Sequence, residues 1–347
     1  MINNDKILII SLSNLLKGGD KVVFWNALMA AVFTALYSVN DNLIMHNVIL
    51  CPEDKFTAVS FYLMMGGWIG VICNYGYSVF LGKKIDKEYA GFNVGNFKMQ
   101  IFAFTAGILS ASSTVFYLVG SQNLDPSLVL CLANISILYL VIYDVLLKYI
   151  KIQEVILPAL IVIAGSALSS ITRLSGGMQI TLLGITVLLL GRYLTMSCQQ
   201  IIKQRGVRAS DAVIFHFWRF VWLSFSGTCL MLIIAFSRDK LDLLIAMRKL
   251  VFPTLPWILV TMFFVFFSSV LENKAIKTGA VSKVALILNS QIVMGIPLTL
   301  MGDVFKPGVF GEIPREPFVW LIRLIGVLLI ILGITFLAKK RKEASHN

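Results

Sequence analysis

Charge is what this sequence has least of. Only 14% of its 347 residues are Asp, Glu, Lys or Arg, against 58% apolar, and the mean hydropathy is +0.84. A soluble domain of this length needs far more charge to cover its surface. Cysteine is sparse: Cys51, Cys73, Cys131, Cys198 and Cys229 form no CxxC pair. Four of them fall in apolar runs, where Cys behaves as a small hydrophobe, so neither a disulfide framework nor a metal site is expected. Histidine occurs three times, at 46, 216 and 346, and no acid or thiol clusters with it as metal ligation or nucleophilic catalysis would need. No G-x-x-x-x-G-K-[ST] run occurs, so ATP-driven pumping is not indicated and no cofactor is expected. The first apolar run is short and no A-x-A follows it, so no cleavable signal peptide is expected.

What the chain has is long apolar runs. A helix needs about 20 apolar residues to cross the hydrocarbon core. Ten such spans are read: 22–43, 57–80, 99–119, 127–147, 154–172, 178–202, 211–236, 255–272, 284–301 and 318–338. They predict an all-α polytopic membrane protein with no room for a soluble domain. Ile7 to Leu16 is too short to span and is expected along the interface.

The net charge is +12, which in a soluble protein would suggest nucleic acid as a partner. Here the cations sit between spans without an aromatic-basic stripe, so they read as topogenic and nucleic acid is not an expected partner. With the N-terminus inside, nineteen Lys and Arg fall in inside segments and eight in outside segments. Both termini are therefore expected in the cytoplasm, of a bacterial inner (plasma) membrane. The dissenting loop, 237–253, is amphipathic and reads as a surface helix.

The chain also repeats itself. An offset of 155 pairs Asn134 with Asn289, Ser127 with Ser282 and Val129 with Val284, and an offset of 168 pairs Gly165 with Gly333. One insertion around "KPGVFGEIPREP" accounts for the difference. Residues 22–172 and 178–338 thus read as two five-helix repeats, between an N-terminal cytoplasmic segment, 1–21, and a basic tail, 339–347. An odd number of spans per repeat inverts the second half relative to the first.

"DPSLVLCLANISILYLVIYDVLL" and "GAVSKVALILNSQIVMGIPLTLMGDVF" resemble the paired segments of the drug/metabolite transporter superfamily, its EamA-like ten-helix branch. The resemblance covers roughly residues 22–338. Both segments lack the Pro that often follows the small-residue turn. The Glu common in the family at this place is replaced by Asp303 in the second half, while Asp144 in the first lies nearby but out of register. The resemblance implies a transporter of small organic solutes without ATPase parts, driven by an ion gradient or by exchange, and leaves the solute open.

Charged side chains inside a span are costly and are functional hypotheses by default. Arg192, in "LLLGRYLTMSCQQ", falls near the midplane, beside Tyr193 and Gln199. Arg219 lies about 12 Å into its span by the helix rise. Snorkelling is the other reading for Arg219, and a structural pair with a buried acid or carbonyls the other for Arg192. His216, three residues before Arg219, is a candidate proton carrier or a packing residue. Glu272 is a candidate for the coupling proton or a pair with Arg192, or else an interfacial balance to Lys274 and Lys277. Asp41 and Asp144 read as interfacial, and Ser110 to Tyr117 as a close-packing stretch.

Asn134, Tyr139, Asn289 and Gln291 are polar within spans, where they face the bundle and contact substrate or bond neighbouring helices. The candidate substrate set is therefore Arg192, Arg219, Tyr193, Gln199, Asn134, Tyr139, Asn289 and Gln291, with Glu272 and His216 as coupling candidates. Deep acids are too few to neutralise both arginines, so the missing partner is read as the carboxylate or phosphate of an anionic or zwitterionic metabolite. Membrane lipid is the other expected partner. Gly66 and Gly70 form a GxxxG, which leaves monomer and homodimer both open. The competing functions are a membrane-embedded lipid-modifying enzyme and a receptor or scaffold.

Overall fold

The computed structural model describes residues 19–49, 55–122, 129, 132, 135–146, 152–169, 171–173, 179–180, 186–237, 239, 241–279, 281–288, 290–310, 313 and 316–344. The fold is helical. Five stretches are long and apolar enough to cross a membrane: Val22–Asn47, Phe56–Ile85, Phe97–Ser121, Ala212–Ser237 and Ile245–Thr278. Their outward faces carry large hydrophobics, such as Phe80 at 77% and Phe252 at 83% exposure. In water such a surface would drive association. Against lipid it is the solvated face, so the chain has the make-up of an integral membrane protein.

The helices are α1 (Gly19–Asn47), α2 (Lys55–Ile85), α3 (Phe97–Ser121), α4 (Ser136–Leu146) and α5 (Ile152–Ser169). After them come β1 (Ile171–Arg173) and β2 (Gln179–Ile180), then a π-helical stretch, Val187–Tyr193, that continues as α6 (Leu194–Arg208). The remainder is α7 (Ala212–Ser237), α8 (Leu241–Met247), α9 (Val251–Thr278), α10 (Val281–Leu288), α11 (Gln291–Phe305) and α12 (Pro317–Ala344).

Three departures from the ten expected spans matter. Residues 179–180, expected to open the sixth span, instead pair antiparallel with β1, Ile171 opposite Ile180. The β-branched and Thr-rich sequence on either side of Ser-Gly-Gly favours a strand pair over helix. That span also runs six residues past its expected end at 202, because Lys, Gln and Arg are good helix formers and Arg205 and Arg208 suit the negative C-terminal end. Third, the span expected at 284–301 is two helices, α10 and α11, with the Ser290 N–H bonded to the Ile287 carbonyl at 3.0 Å. The second of these starts at Gln291, and α4 starts at Ser136. The two starts differ by the same 155 residues as the sequence pairs. Within the amphipathic loop at 237–253, α8 and a 3-10 turn at Arg248–Leu250 are helical.

In the packing, α1 lies along α9, while the π stretch and α6 lie along α3. Helix α2 pairs with α7, and α5 with α12. The α5–α12 crossing brings backbones together. A Cβ on Gly165 would stand 2.6 Å from the Gly326 carbonyl oxygen, and one on Gly333 would stand 2.8 Å from that of Pro158. Small residues at a membrane helix crossing allow this approach. In the GxxxG of α2, Gly70 packs inside the bundle, since a Cβ there would strike Phe220 and Met262. Arg323, which the loop-by-loop charge reading passed over, is 1% exposed on α12, and its Nε donates to the Ile171 carbonyl at 3.1 Å.

Candidate functional site

Helices α1, α2, α3, α6, α7 and α9, with the π stretch, line a cavity of about 160 Å³. Three cations, Arg192, Lys203 and Arg219, and two carboxylates, Asp41 and Glu272, line it. Each helix supplies residues at helical spacing: Tyr37 and Asp41 from α1, Ser110, Ser113 and Tyr117 from α3, Thr261, Val265 and Glu272 from α9. Thr261 and Glu272 are 11 residues apart on one helix, so the polar lining extends roughly 16 Å along the bundle.

At one end stands Asp41, 7% exposed. The Tyr62 hydroxyl donates to its Oδ1 at 2.7 Å, and Thr261 Oγ1 donates to the same oxygen at 3.3 Å. At the other end the Lys203 ammonium lies 2.6 Å from Glu272 Oε2, with side-chain exposures of 4% and 14%. Two ions this far from water persist only as a close pair.

The arginines lie between these ends. Arg192 sits over the Tyr117 ring, 4.5 Å from its centre, and Nη1 donates to Ser113 Oγ at 3.3 Å and to the Ser113 carbonyl at 3.4 Å. Arg219 Nη1 donates to Ser110 Oγ at 2.7 Å, and Nη2 reaches Ser269 Oγ at 3.4 Å and His216 Nδ1 at 3.2 Å. A guanidinium only donates, so His216 Nδ1 accepts, and Nε2 carries the proton that goes to Asn74 Oδ1 at 3.1 Å. His216 is thus bound as the neutral imidazole that positions Arg219. Among the described residues, no carboxylate is within ion-pair distance of either arginine. Ser110 is saturated: its hydroxyl accepts from Arg219 and from Gln199 Nε2 at 2.6 Å, and donates to the Ala106 carbonyl at 2.7 Å.

Arg192 is the sixth residue of the π stretch. A π turn leaves backbone carbonyls poorly paired, which in lipid must be met by side chains. Tyr139 donates to the Leu189 carbonyl at 2.7 Å, and Thr195 Oγ1 reaches the Gly191 and Arg192 carbonyls at 2.6 and 3.0 Å.

The expected residues therefore divide. Arg192, Arg219, Gln199 and Glu272 meet at the cavity. Tyr193 and Gln291 line a smaller void of about 50 Å³ that shares Tyr37, Arg192 and Glu272 with the first, and the Tyr193 hydroxyl is given to the Val129 carbonyl at 2.6 Å. Tyr139 braces the π stretch. Asn134 and Asn289 lie outside the described residues. Glu272 neither balances Lys274 and Lys277 nor pairs with Arg192: Lys274 donates to the Ile85 carbonyl, and Lys277 to Glu88 and the Ser210 carbonyl. Sequence reasoning missed Asp41, Lys203 and the hydroxyls of α3 as lining, having assigned the first to the interface, the second to the inside charge bias and the third to packing.

Near the Lys277 end the turns are tied together. Asp86 Oδ2 accepts from the Ala212 N–H at 3.2 Å, and Asp211 Oδ1 caps α7 by accepting from the Ile214 N–H at 2.8 Å. The hydrogen bond and charge of Lys277 hold the Glu88 carboxyl below the usual range, while burial pushes that of Asp211 up.

No protein-family model and no curated protein matches this sequence. A solved structure described only as a crystal structure of a protein is similar over 92% of this chain and 96% of its own, with a TM-score of 0.50 and 14% identity. At that identity the likeness extends to the fold alone.

Proposed function

We propose that the protein is a secondary transporter that moves a small anionic or zwitterionic organic metabolite by alternating access. The observation that carries this reading is the pair of guanidiniums, Arg192 and Arg219, lining one cavity with hydroxyls, a carbonyl, an aromatic ring and an imidazole as their protein partners. A buried guanidinium without a counter-charge is unfavourable, and a solute carboxylate or phosphate supplies one with bidentate geometry. The Lys203–Glu272 pair cancels, which leaves two cations against Asp41. A cavity near 160 Å³ suits a solute of roughly benzene size.

Ten spans in two inverted five-helix repeats, of the EamA-like kind, form the architecture of this proposal. Exchanging the halves maps the packing of α1 on α9 onto that of the π stretch and α6 on α3. It maps the α2–α7 and α5–α12 pairs onto themselves. The helix starts at Ser136 and Gln291 also correspond. These relations support a two-fold relation between the halves, which five spans per half would make an inversion, and a site between the halves suits inverted-repeat transporters. Both termini lie in the cytoplasm of a bacterial inner membrane in this reading, as the charge bias favours.

Flux of solutes into liposomes holding the purified protein tests the proposal. The wild type is expected to move members of a set of short carboxylates, phosphate esters and amino acids. Arg192→Ala and Arg192→Lys lose that flux and keep a normal melting profile. Wild-type flux in Arg192→Ala would overturn the role of the arginine, and no flux in the wild type would overturn transport itself.

A further inference from the structure

The cavity holds two carboxylates in unlike settings. Glu272 is bound to Lys203, and its charge is spent there. Asp41 is equally cut off from bulk water, yet no cation among the described residues is within ion-pair distance. Its two bonds come from hydroxyls, and both end on Oδ1. No bond to Oδ2 is found among the described residues, and Asp41 lines the cavity.

The groups around it can be named element by element. Tyr37 is on its own helix, with Tyr62 on α2, Tyr117 on α3 and Arg192 on the π stretch. Thr261 and the paired Glu272 come from α9. From α11 the polar lining is Gln291, on the adjoining void. The Tyr117 hydroxyl is committed to the Ser38 carbonyl at 3.0 Å. Of the three cations that line this cavity, Lys203 is paired with Glu272, while Arg192 and Arg219 have no ion pair among the described residues, and the Arg192 bonds go to Ser113.

A buried carboxylate with hydroxyl donors and no bound cation has two comparable forms. It is ionised while water or a cation is close, and neutral once the cavity dries. Tyr62 and Thr261 can serve both forms, because a hydroxyl donates to the carboxylate and accepts from the acid.

We infer that Asp41 is the proton-coupling site of this cavity: a proton from water bonds to Oδ2 with the cavity open to one side, and is returned to water on the other. The inference rests on the transporter reading and adds the coupling ion to it. Loading Oδ2 removes a negative charge that competes with an anionic solute for Arg192, so proton and solute favour each other's binding. That linkage is reciprocal and makes the movement a symport. With one proton per solute, one pH unit supports an accumulation of about tenfold.

The test uses full-length protein in liposomes loaded with a pH dye. A mixture of short carboxylates and amino acids is presented outside, solutes are followed by mass spectrometry, and potassium with valinomycin clamps the voltage. The wild type is expected to move protons with solute in a fixed ratio and to accumulate solute along a pH gradient. In Asp41→Asn the proton-to-solute ratio falls to zero, whatever flux remains. Should Asp41→Asn move nothing or fail to fold, Tyr62→Phe decides. It removes the stronger donor to the carboxylate, so the pH of half-maximal uptake rises. An unshifted profile in Tyr62→Phe, or proton movement intact in Asp41→Asn, overturns the inference. Uptake that follows a sodium gradient and ignores pH also overturns it while leaving transport standing. No solute movement in the wild type overturns both. An arm without solute is infrared titration: a protonated-carboxyl band that fades as pH rises should be present in the wild type and missing from Asp41→Asn, and its absence from the wild type overturns the inference directly.

Discussion

Lys203 Nζ lies 2.6 Å from Glu272 Oε2, joining α6 to α9 at one end of the polar cavity. Removing either partner strands the other charge away from water. Lys203→Ala is expected to lower stability by an amount approaching ~3–5 kcal/mol, reduced to the extent that Glu272 is wetted by the cavity. Replacing both, as Lys203→Met with Glu272→Leu, should recover most of that loss. Thermal unfolding in detergent checks it; a double variant no more stable than Lys203→Ala would show that the pair does not act as a unit.

His216 holds Arg219 through Nδ1 as an acceptor. His216→Asn keeps an oxygen acceptor at that side, whereas His216→Ala removes it. The loss of one hydrogen bond to a charged group is about 1.5–3 kcal/mol. Solute affinity in His216→Ala is therefore expected to fall roughly ten- to a hundredfold, with partial rescue in His216→Asn. Equal affinities in the two variants would mean that Arg219 keeps its place unaided.

Backbone contact between α5 and α12 leaves no room for a side chain at Gly165. Gly165→Leu should separate the helices and abolish folded yield. Gly76, in α2, has nothing within 4 Å of an added Cβ, so Gly76→Ala should be neutral or stabilising by up to ~1 kcal/mol. Size-exclusion profiles and melting curves compare the two directly.

The Glu88–Lys277 pair is exposed and should respond to pH and salt. The Glu88 carboxyl is lowered in the folded protein. Its stabilising contribution is therefore present above the ordinary carboxylate value, about 4.3, and disappears as pH falls through the lowered folded value. Glu88→Gln should melt below the wild type at neutral pH and low salt, with the gap closing in acid and in high salt. A gap that persists in acid would assign the effect to packing.

Topology is testable by cysteine labelling in intact cells. Positions 83 and 340 should be protected, and 53 and 315 should react. Lys203, which by sequence alone would serve as an inside marker, is too buried for this use. Reaction at 340 from outside would reverse the orientation.

Apolar runs made the helical class legible because a spanning helix declares itself by length and composition. Which way each helix faces was much harder to read. In a membrane bundle the lipid face and the core face are both apolar, so hydrophobic periodicity does not separate them. Only polar residues report the inward direction, and they do so in register: Thr34, Tyr37, Ser38 and Asp41 follow i, i+3, i+4, i+7, and Arg192, Gln199 and Lys203 follow i, i+7, i+11. Asp41 reads as interfacial from sequence because the first span there ends at 43, whereas α1 continues to Asn47. Lys203 escaped notice because a cation at a span end has an equally good reading as a topology signal. The break before Gln291 has no Pro or Gly at the joint to announce it.

The wide turn that carries Arg192 behaves as an insertion of one residue into an otherwise ordinary helix. Deleting a single residue such as Leu190 could let Val187–Tyr193 relax to α-helical winding without interrupting the rod. Everything on the N-terminal side would then rotate by about 100° relative to α6, and Tyr139 would lose the carbonyl it now holds. Chain length in this short stretch is therefore as much a determinant of where the guanidinium points as the identity of residue 192. A deletion there should be more damaging than most substitutions of its leucines.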